Sequence, residues 1–205
     1  MPETRPAIGV LISGRGSNLQ ALIDAIDQGK LAAAIAVVIS NRPGAGGLER
    51  ARAAGIETLI IEHRAFPDRD AFDQVLANEL LARRVSLVCL AGFMRLIGTP
   101  LLEAFPNRIL NVHPSLLPSF PGVDAQRQAL EHGVKFAGAT VHLVTAELDG
   151  GPIVQQATVP VRDDDTVETL SARILIEEHR IYPEAARIML DGGWTVTGRR
   201  FRRRS

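Results

Sequence analysis

The 205-residue sequence predicts an α/β protein whose amino-terminal half is built on a mostly parallel β-sheet. Apolar runs of strand length alternate there with segments of helix length, which gives the order β-α-β-α. These apolar runs are continuous rather than alternating, as expected for strands that helices cover on both faces. The composition, 46% hydrophobic and 22% charged, is that of a globular protein with a substantial core.

The elements of the first half are predicted from their apolar spacing. The segment 17–28 places Leu19, Leu22 and Ile26 on one helical face, whereas 8–12 is a continuous apolar run. On the same grounds we predict strands over 8–12, 34–40, 58–61 and 86–91, and helices over 17–28, 47–54 and 68–83. This order of elements is Rossmann-like, so ligands are expected at the carboxyl ends of the strands.

The second half is predicted to extend the sheet with antiparallel strands, because its strand-like segments are joined by a turn-rich stretch. We predict strands over 109–112, 139–144 and 153–161, a helix over 125–132, and a long carboxyl-terminal helix from 166 to about 190. The whole chain, 1–205, is interpreted as one domain with halves of about 1–107 and 108–190 and an Arg-rich tail over 198–205.

Composition and charge argue against several classes of protein. The 23 Lys and Arg balance the 23 Asp and Glu, which disfavours a nucleic-acid binder. A lone Cys89 in an apolar run excludes an internal disulfide and indicates a reducing compartment. The sequence shows neither a signal peptide nor a membrane span, so we expect a cytoplasmic protein. The five arginines of the tail are interpreted as a solvated terminus, with a phosphate-binding arm as the alternative.

The segment 13–19 follows the first predicted strand and opens the first helix. Glycines at 14 and 16 let an anion approach the backbone, and the amides at a helix start point toward it. A dinucleotide site would have a further glycine and an acidic residue where Leu19 and Asn41 stand. We therefore predict a phosphate site; the alternative is that the glycines serve only the turn and Ser17 only caps the helix.

Asn111 and His113 alternate on a predicted strand and therefore share a face. An amide donor and an imidazole aimed at one point suit the stabilisation of an oxyanion during a proton transfer. Asp149, before two glycines, is a turn residue on sequence alone, but beside His113 it would favour the imidazolium form. His142 is interpreted as a hydrogen-bonded core residue. The His, Cys and carboxylate residues lack metal-ligand spacing, so no metal is expected.

Motifs in one order give the chain a resemblance to a known family. They are Ser-Gly-Arg-Gly-Ser-Asn-Leu-Gln from Ser13, Leu-Ala-Gly-Phe-Met-Arg from Leu90, Asn-Val-His-Pro-Ser-Leu-Leu-Pro from Asn111 and Leu-Asp-Gly-Gly-Pro from Leu148. Together they closely resemble the phosphoribosylglycinamide formyltransferases, folate-dependent transferases of purine synthesis, over about residues 8–190. The resemblance implies the formyltransferase fold and transfer of a formyl group from 10-formyltetrahydrofolate, a co-substrate, to the amine of glycinamide ribonucleotide.

The resemblance also implies roles for particular residues. The catalytic set would be Asn111, His113 and Asp149. The ribonucleotide phosphate would be held by Gly16, Ser17, Asn18 and Arg69, and the glycinamide portion by Gly92, Met94 and Glu178. The folate would be received by Met94, Arg95, Leu96, Ile97, Thr145, Ala146, Glu147, Leu148 and Asp149. The expected partners are small-molecule substrates, with no nucleic acid or membrane, and the chain is expected to be a monomer or homodimer.

The chain departs from the family's pattern near the catalytic set. Asp124 and Gln126 stand where many relatives carry histidine, and Thr140 stands where serine is common. A formyltetrahydrofolate hydrolase, in which water replaces the amine, and a non-catalytic nucleotide-binding module that uses the loop 14–18 stay open as alternatives. A methionyl-tRNA formyltransferase is disfavoured, because about fifteen residues after the last predicted helix leave no room for its further domain.

Overall fold

The computed structural model describes residues 5–204, so Ser205 of the Arg-rich tail lies outside the described residues. A central sheet contains β1 Ala7–Ile12, β2 Ala34–Ser40, β3 Thr58–Ile60, β4 Leu87–Leu90, β5 Ile109–His113, β6 Phe136–Leu143 and β7 Ile153–Pro160. The helices are α1 Ser17–Asp27, α2 Gly47–Ala53, α3 Arg69–Ala82, α4 Thr99–Ala104, α5 Ala125–Glu131 and α6 Val167–Asp191, with a 3-10 turn at His63–Ala65. A separate hairpin consists of β8 Trp194–Thr197 and β9 Arg200–Arg203.

The central sheet has seven strands in the order β3-β2-β1-β4-β5-β6-β7. The strands from β3 across to β5 are parallel, whereas β6 and β7 are antiparallel to their neighbours. The predicted fold class is therefore confirmed, and the predicted elements differ from the observed ones by up to three residues at their ends.

The core has two parts, one on each face of the sheet. Val10 and Ile12 of β1 pack with α1 and α6 on one face, while Leu11 packs with α3 on the other. This division follows from the two-residue period of a strand and explains the continuous apolar runs in the sequence. Within residues 5–204, no helix is both long and apolar enough to span a bilayer.

Helix α6 is held against the sheet by a buried tyrosine. The hydroxyl of Tyr182 donates to the Leu90 carbonyl at 2.9 Å and lies 3.3 Å from the Leu110 carbonyl, so its one polar atom is satisfied in the core. At its amino terminus the helix has a reciprocal capping box between Thr166 and Thr169. These contacts fix the helix that carries Glu178 toward the carboxyl end of the parallel strands.

Helix α4, the 3-10 turn at His63–Ala65 and the hairpin of β8 and β9 were not predicted. Helix α4 is short and has Pro100 in its first turn, and Leu101 is its one fully buried residue. Its sequence therefore shows too little apolar periodicity to predict a helix. The hairpin of β8 and β9 includes the arginines interpreted as a solvated terminus. Its apolar residues, Trp194, Val196 and Phe201, pack against the core and order the strands that present those arginines.

Candidate active site

The antiparallel pairing of β5 with β6 assembles the most polar buried corner of the site. Its register places Asn111 opposite His142 and His113 opposite Thr140. Asn111 and His113 are two residues apart, so both side chains project from the same face of β5. The loop that follows β6 then returns Asp149 to this face, where the residue has a φ of 50° in the left-handed region.

Asp149 lies between the two histidines. Its Oδ2 is 3.4 Å from His113 Nδ1, and its Oδ1 is 3.5 Å from His142 Nε2. Asn111 Nδ2 is 3.2 Å from the same His142 nitrogen. The exposed fractions of the Asp149, His113 and His142 side chains are 8%, 6% and 2%, so bulk water screens these contacts weakly. We call Asn111, His113, His142 and Asp149 the catalytic corner, after the catalytic role predicted for Asn111, His113 and Asp149.

Backbone carbonyls fix one nitrogen of each imidazole. His113 Nε2 is 2.9 Å from the Phe120 carbonyl, and His142 Nδ1 is 3.0 Å from the Leu143 carbonyl. Because a carbonyl only accepts, these nitrogens donate, and the remaining nitrogen of each ring faces Asp149. For His142 that nitrogen also faces the Asn111 amide nitrogen, a donor, at 3.2 Å. Each ring therefore presents one nitrogen to the Asp149 carboxylate.

The environment of Asp149 keeps its carboxyl ionised. Burial on its own raises the pKa of Asp149, but contacts with His142, the Gly122 amide and His113 outweigh burial and hold this pKa below its usual value. The Gly122 amide donates to Asp149 Oδ2 at 2.8 Å. A fixed negative charge therefore lies against both imidazole rings.

Thr140 supports the loop that follows β5. Its hydroxyl donates to the Ser115 carbonyl at 2.7 Å and accepts from the Leu117 amide at 3.1 Å. Threonine at this position thus keeps the hydroxyl that serine would supply for these two hydrogen bonds. Asp124 is exposed and precedes α5 with a φ of 56°, and Gln126 is on α5, so histidine chemistry is absent from both positions.

A cavity of about 200 Å³ opens beside the catalytic corner. Its wall is formed by the loops after β4 and β6, by Arg69 of α3 and by three residues of the catalytic corner. The lining residues are Arg69, Leu90, Phe93, Arg95, Leu96, Ile97, Gly98, Thr99, Leu102, Asn111, His142, Val144, Thr145, Ala146, Glu147, Leu148 and Asp149. The residues predicted to receive the folate line this wall except Met94, which is 69% exposed to solvent.

The predicted phosphate loop precedes α1, and its backbone at Gly16 lies close to the backbone at Gly47. Gly16 has a φ of 73°, and a Cβ built there would lie 2.5 Å from the Gly47 Cα. The Gly47 amide donates to the Gly14 carbonyl at 3.0 Å. Among the described residues no side chain caps α1, so the amides of its first turn are free to bind an anion. The glycine at 16 therefore has a packing reason, beside its predicted role in phosphate binding.

A buried pair joins this loop to α6. Asn18 Nδ2 donates to Glu178 Oε2 at 2.8 Å, although the two residues are 160 positions apart. Burial raises the pKa of Glu178 to about 7, with the Asn18 hydrogen bond opposing the shift. Asn18 Oδ1 is also buried and has no hydrogen-bond partner within residues 5–204. A protonated Glu178 or a bound donor would satisfy the polar groups that this pair leaves open.

Ser13 connects the regions, a role that was not predicted from the sequence although the residue opens the glycine motif. Its hydroxyl donates to Asn41 Oδ1 at 2.6 Å and accepts from the Met94 amide at 2.9 Å. Its amide donates to the carbonyl of Gly92, whose φ is 75°. Its position directly after β1, inside the glycine motif, was the available signal. Ser13 thus ties the phosphate loop to the loop that carries the folate and glycinamide candidates.

The structure brings the predicted catalytic residues together and adds His142. His142 is buried and hydrogen-bonded, as interpreted from sequence, but the contacts of its Nε2 with Asn111 and Asp149 were not predicted. Arg69 lines the cavity with Arg95, so its pairing with the ribonucleotide phosphate stays a prediction. Across residues 5–204 no group of His, Cys, Asp and Glu is arranged to hold a metal ion.

Comparisons with known proteins agree with this architecture. A family model described as formyl transferase matches residues 7–186. The chain is 47% identical over 185 residues to the phosphoribosylglycinamide formyltransferase of Escherichia coli (strain K12), covering 90% of this chain and 87% of that protein. It is 46% identical over 194 residues, 94% of its length, to the trifunctional purine biosynthetic protein adenosine-3 of Drosophila melanogaster, of which it spans 14%.

Among solved structures, the fold is similar to that of glycinamide ribonucleotide transformylase 1 from Symbiobacterium toebii. The two have a TM-score of 0.96 and 58% sequence identity, and the match covers 100% of this chain and 96% of that one. The resemblance predicted from the motifs is therefore confirmed. The chain belongs to the formyl transferase family.

Proposed function

We propose that the chain transfers the formyl group of 10-formyltetrahydrofolate to the primary amine of glycinamide ribonucleotide, a step of purine biosynthesis. The observation that carries the proposal is the catalytic corner in the wall of a cavity lined by the folate candidates. Membership of the formyl transferase family supports the chemistry, and the name of the Escherichia coli relative supports the acceptor.

In the proposed reaction the amine nitrogen attacks the formyl carbon directly. A carbon–nitrogen bond forms, the carbonyl oxygen becomes an oxyanion, and the bond to folate N10 then breaks as N10 gains the proton that the amine loses. A covalent intermediate on Cys89 is disfavoured, because the residue is buried in the core and burial raises the pKa of its thiol to about 12.

Asn111 and His113 are the proposed donors to the oxyanion. Groups that bind this oxygen more strongly in the transition state than in the substrate lower the barrier. Asp149 would hold the His113 imidazolium, so that the second donor carries a charge. Because His113 Nε2 donates to the Phe120 carbonyl in this structure, donation to substrate requires that this contact be exchanged for the formyl oxygen.

The remaining assignments divide between the two substrates. Gly16, Ser17, Asn18 and Arg69 are proposed for the ribonucleotide phosphate, and Gly92, Met94 and Glu178 for its glycinamide. The uncapped start of α1 supports the first assignment, and the buried Asn18–Glu178 pair beside it supports the second. The proposed folate residues are the Met94 to Ile97 loop and the segment 145–149.

One assay tests the proposal. The protein is incubated with 10-formyltetrahydrofolate, with and without glycinamide ribonucleotide, and release of tetrahydrofolate is followed. We expect turnover that depends on the amine and yields formylglycinamide ribonucleotide. Turnover without the amine would identify a hydrolase, and binding without turnover would leave a nucleotide-binding module. The Asp149→Asn variant is the control, because it removes the charge beside His113 with little change in shape.

A further inference from the structure

The carboxyl-terminal hairpin lies outside residues 7–186, the range matched by the family model. Its strands β8 and β9 pair Val196 with Phe201 and Trp194 with Arg203. The rings of Trp194 and Phe201 stack with centroids 5.5 Å apart, and both residues pack against the core. One face of the hairpin is thus anchored to the domain, which orders the opposite face.

The opposite face is cationic. The register pairs Thr195 with Arg202 and Thr197 with Arg200, so these side chains project together, away from the anchored face. Arg199 occupies the turn, and all three arginines are exposed. The segment 192–205 contains no acidic residue, although the chain as a whole has 23 basic and 23 acidic residues. Positive charge is therefore concentrated on this small surface, which we call the arginine face.

The turn of the hairpin reaches the rim of the candidate folate cavity. Arg199 Nη1 lies 3.3 Å from Glu147 Oε2, and Glu147 lines that cavity together with Arg95. The side chains of this pair are 54% and 72% exposed, so the ion pair is weak and an incoming carboxylate can replace Glu147. A ligand that leaves the cavity on this side meets the arginine face.

We propose that the arginine face binds the γ-linked glutamyl tail of the folate co-substrate. This inference rests on the proposed function, which puts the folate ring in the cavity and its tail at the opening. Each γ-linked glutamate adds one free carboxylate, and the planar guanidinium of arginine matches a carboxylate in shape and charge. The spacing of Arg200 and Arg202 on one strand face presents successive cations to successive carboxylates.

The test compares tetrahydrofolate bearing a single glutamate with tetrahydrofolate bearing a pentaglutamate tail, each titrated calorimetrically into the full chain. We expect the pentaglutamate form to bind the native protein about tenfold more tightly than the monoglutamate form, because a few exposed ion pairs together contribute about that much. The preference should weaken as salt is added, because these charges are screened. In the R200Q/R202Q double variant the preference should fall to about twofold or less.

Arg162→Gln is the matched control, because Arg162 is an exposed arginine between β7 and α6, outside the hairpin. It should keep the native preference. Equal binding of both folates by the native chain, or an unchanged preference in R200Q/R202Q, would overturn the inference. So would free penta-γ-glutamate competing as well as the pentaglutamyl folate. Formyl transfer without a tail preference contradicts this inference alone, whereas a tail preference without formyl transfer contradicts the proposed function alone.

Discussion

The catalytic corner and the phosphate loop use opposite kinds of groups. In the corner, side chains supply the proposed chemistry: Asn111, His113 and His142 surround Asp149, and each is paired with another side chain or a carbonyl. In the phosphate loop the proposed binding groups are backbone amides, since Gly16 and Gly47 approach each other closely and no side chain caps the first amides of α1. The catalytic corner thus depends on its side chains, whereas the phosphate loop depends on the absence of a Cβ at Gly16.

This difference predicts how each region fails. Removing a side chain from the corner leaves a buried partner unpaired and removes a group that we propose to contact the reacting atoms. Adding a single methyl group at Gly16 displaces the backbone of Gly47 and should disturb the proposed anion binding. Substitutions in the corner should therefore act on kcat, and substitutions in the loop on the binding of one substrate.

The largest effect is expected for Asn111→Ala, which breaks the corner. Losing one neutral donor to a developing oxyanion lowers kcat on the order of 100- to 1000-fold. The KM values should move little, because the interaction forms in the transition state. Steady-state kinetics with both substrates measures this, and thermal unfolding checks that the variant is folded. An unchanged kcat would show that the amide only positions His142 through their 3.2 Å contact.

Glu178→Gln tests the contact between the phosphate loop and α6. The pKa of Glu178 is raised from 4.5 to about 7 in the folded chain, so the folded state binds the proton more tightly than the unfolded state. Its contribution to the free energy of unfolding is full below pH 4.5 and is lost as the pH rises toward 7, by about 3 kcal/mol in all.

The free energy of unfolding of the Gln variant should not fall in this way, because the glutamine amide does not titrate in this pH range. Urea unfolding across this pH range, with the difference between native and variant plotted against pH, measures the effect. Glu103→Gln, an exposed glutamate on α4, is the control and should follow the native curve. Parallel curves for native and Glu178→Gln would contradict the raised pKa.

Much of this architecture can be predicted from the sequence, because the patterns that indicate it lie within short segments. Continuous apolar runs predict the parallel strands, and the spacing of Asn111 and His113 predicts a shared face. His142 required the register of β5 against β6, which brings residues 31 positions apart into contact and leaves no local trace. A signal for the hairpin existed: Trp194 and Val196 alternate before Gly198, with Phe201 following, as in a short strand, turn and strand. The run of arginines instead favoured the interpretation of this segment as a solvated terminus.

Arg69→Ala sharpens the comparison at the boundary of the two regions. The resemblance assigns Arg69 to the phosphate, yet its side chain lines the cavity with Arg95 and Glu147. If it binds the phosphate, the variant should lose about 1.5 to 3 kcal/mol of ribonucleotide binding, the range for a charged hydrogen bond. Calorimetry with each substrate measures this. A larger loss for folate would move Arg69 to the folate site, and Arg64→Ala, an exposed neighbour, serves as the control.

The smallest substitution tests the loop most directly, because Gly16→Ala adds one methyl group. Two effects follow from the structure: a φ of 73°, which disfavours alanine, and a Cβ that would lie 2.5 Å from the Gly47 Cα. Gly29 separates them, because its φ is 70° and a Cβ there would meet no described atom within 4 Å. Both alanine variants should lower the free energy of unfolding by about 1 kcal/mol from backbone strain.

Only Gly16→Ala must also move the backbone of Gly47, and with it the open amides at the start of α1. Its KM for glycinamide ribonucleotide should therefore rise about tenfold, the size of one lost hydrogen bond to a charged group, while its KM for the folate stays near the native value. Steady-state kinetics of native, Gly16→Ala and Gly29→Ala proteins decides the matter. Equal KM changes for both substrates, or the same behaviour in both variants, would reduce Gly16 to a turn residue and remove the backbone from the phosphate site.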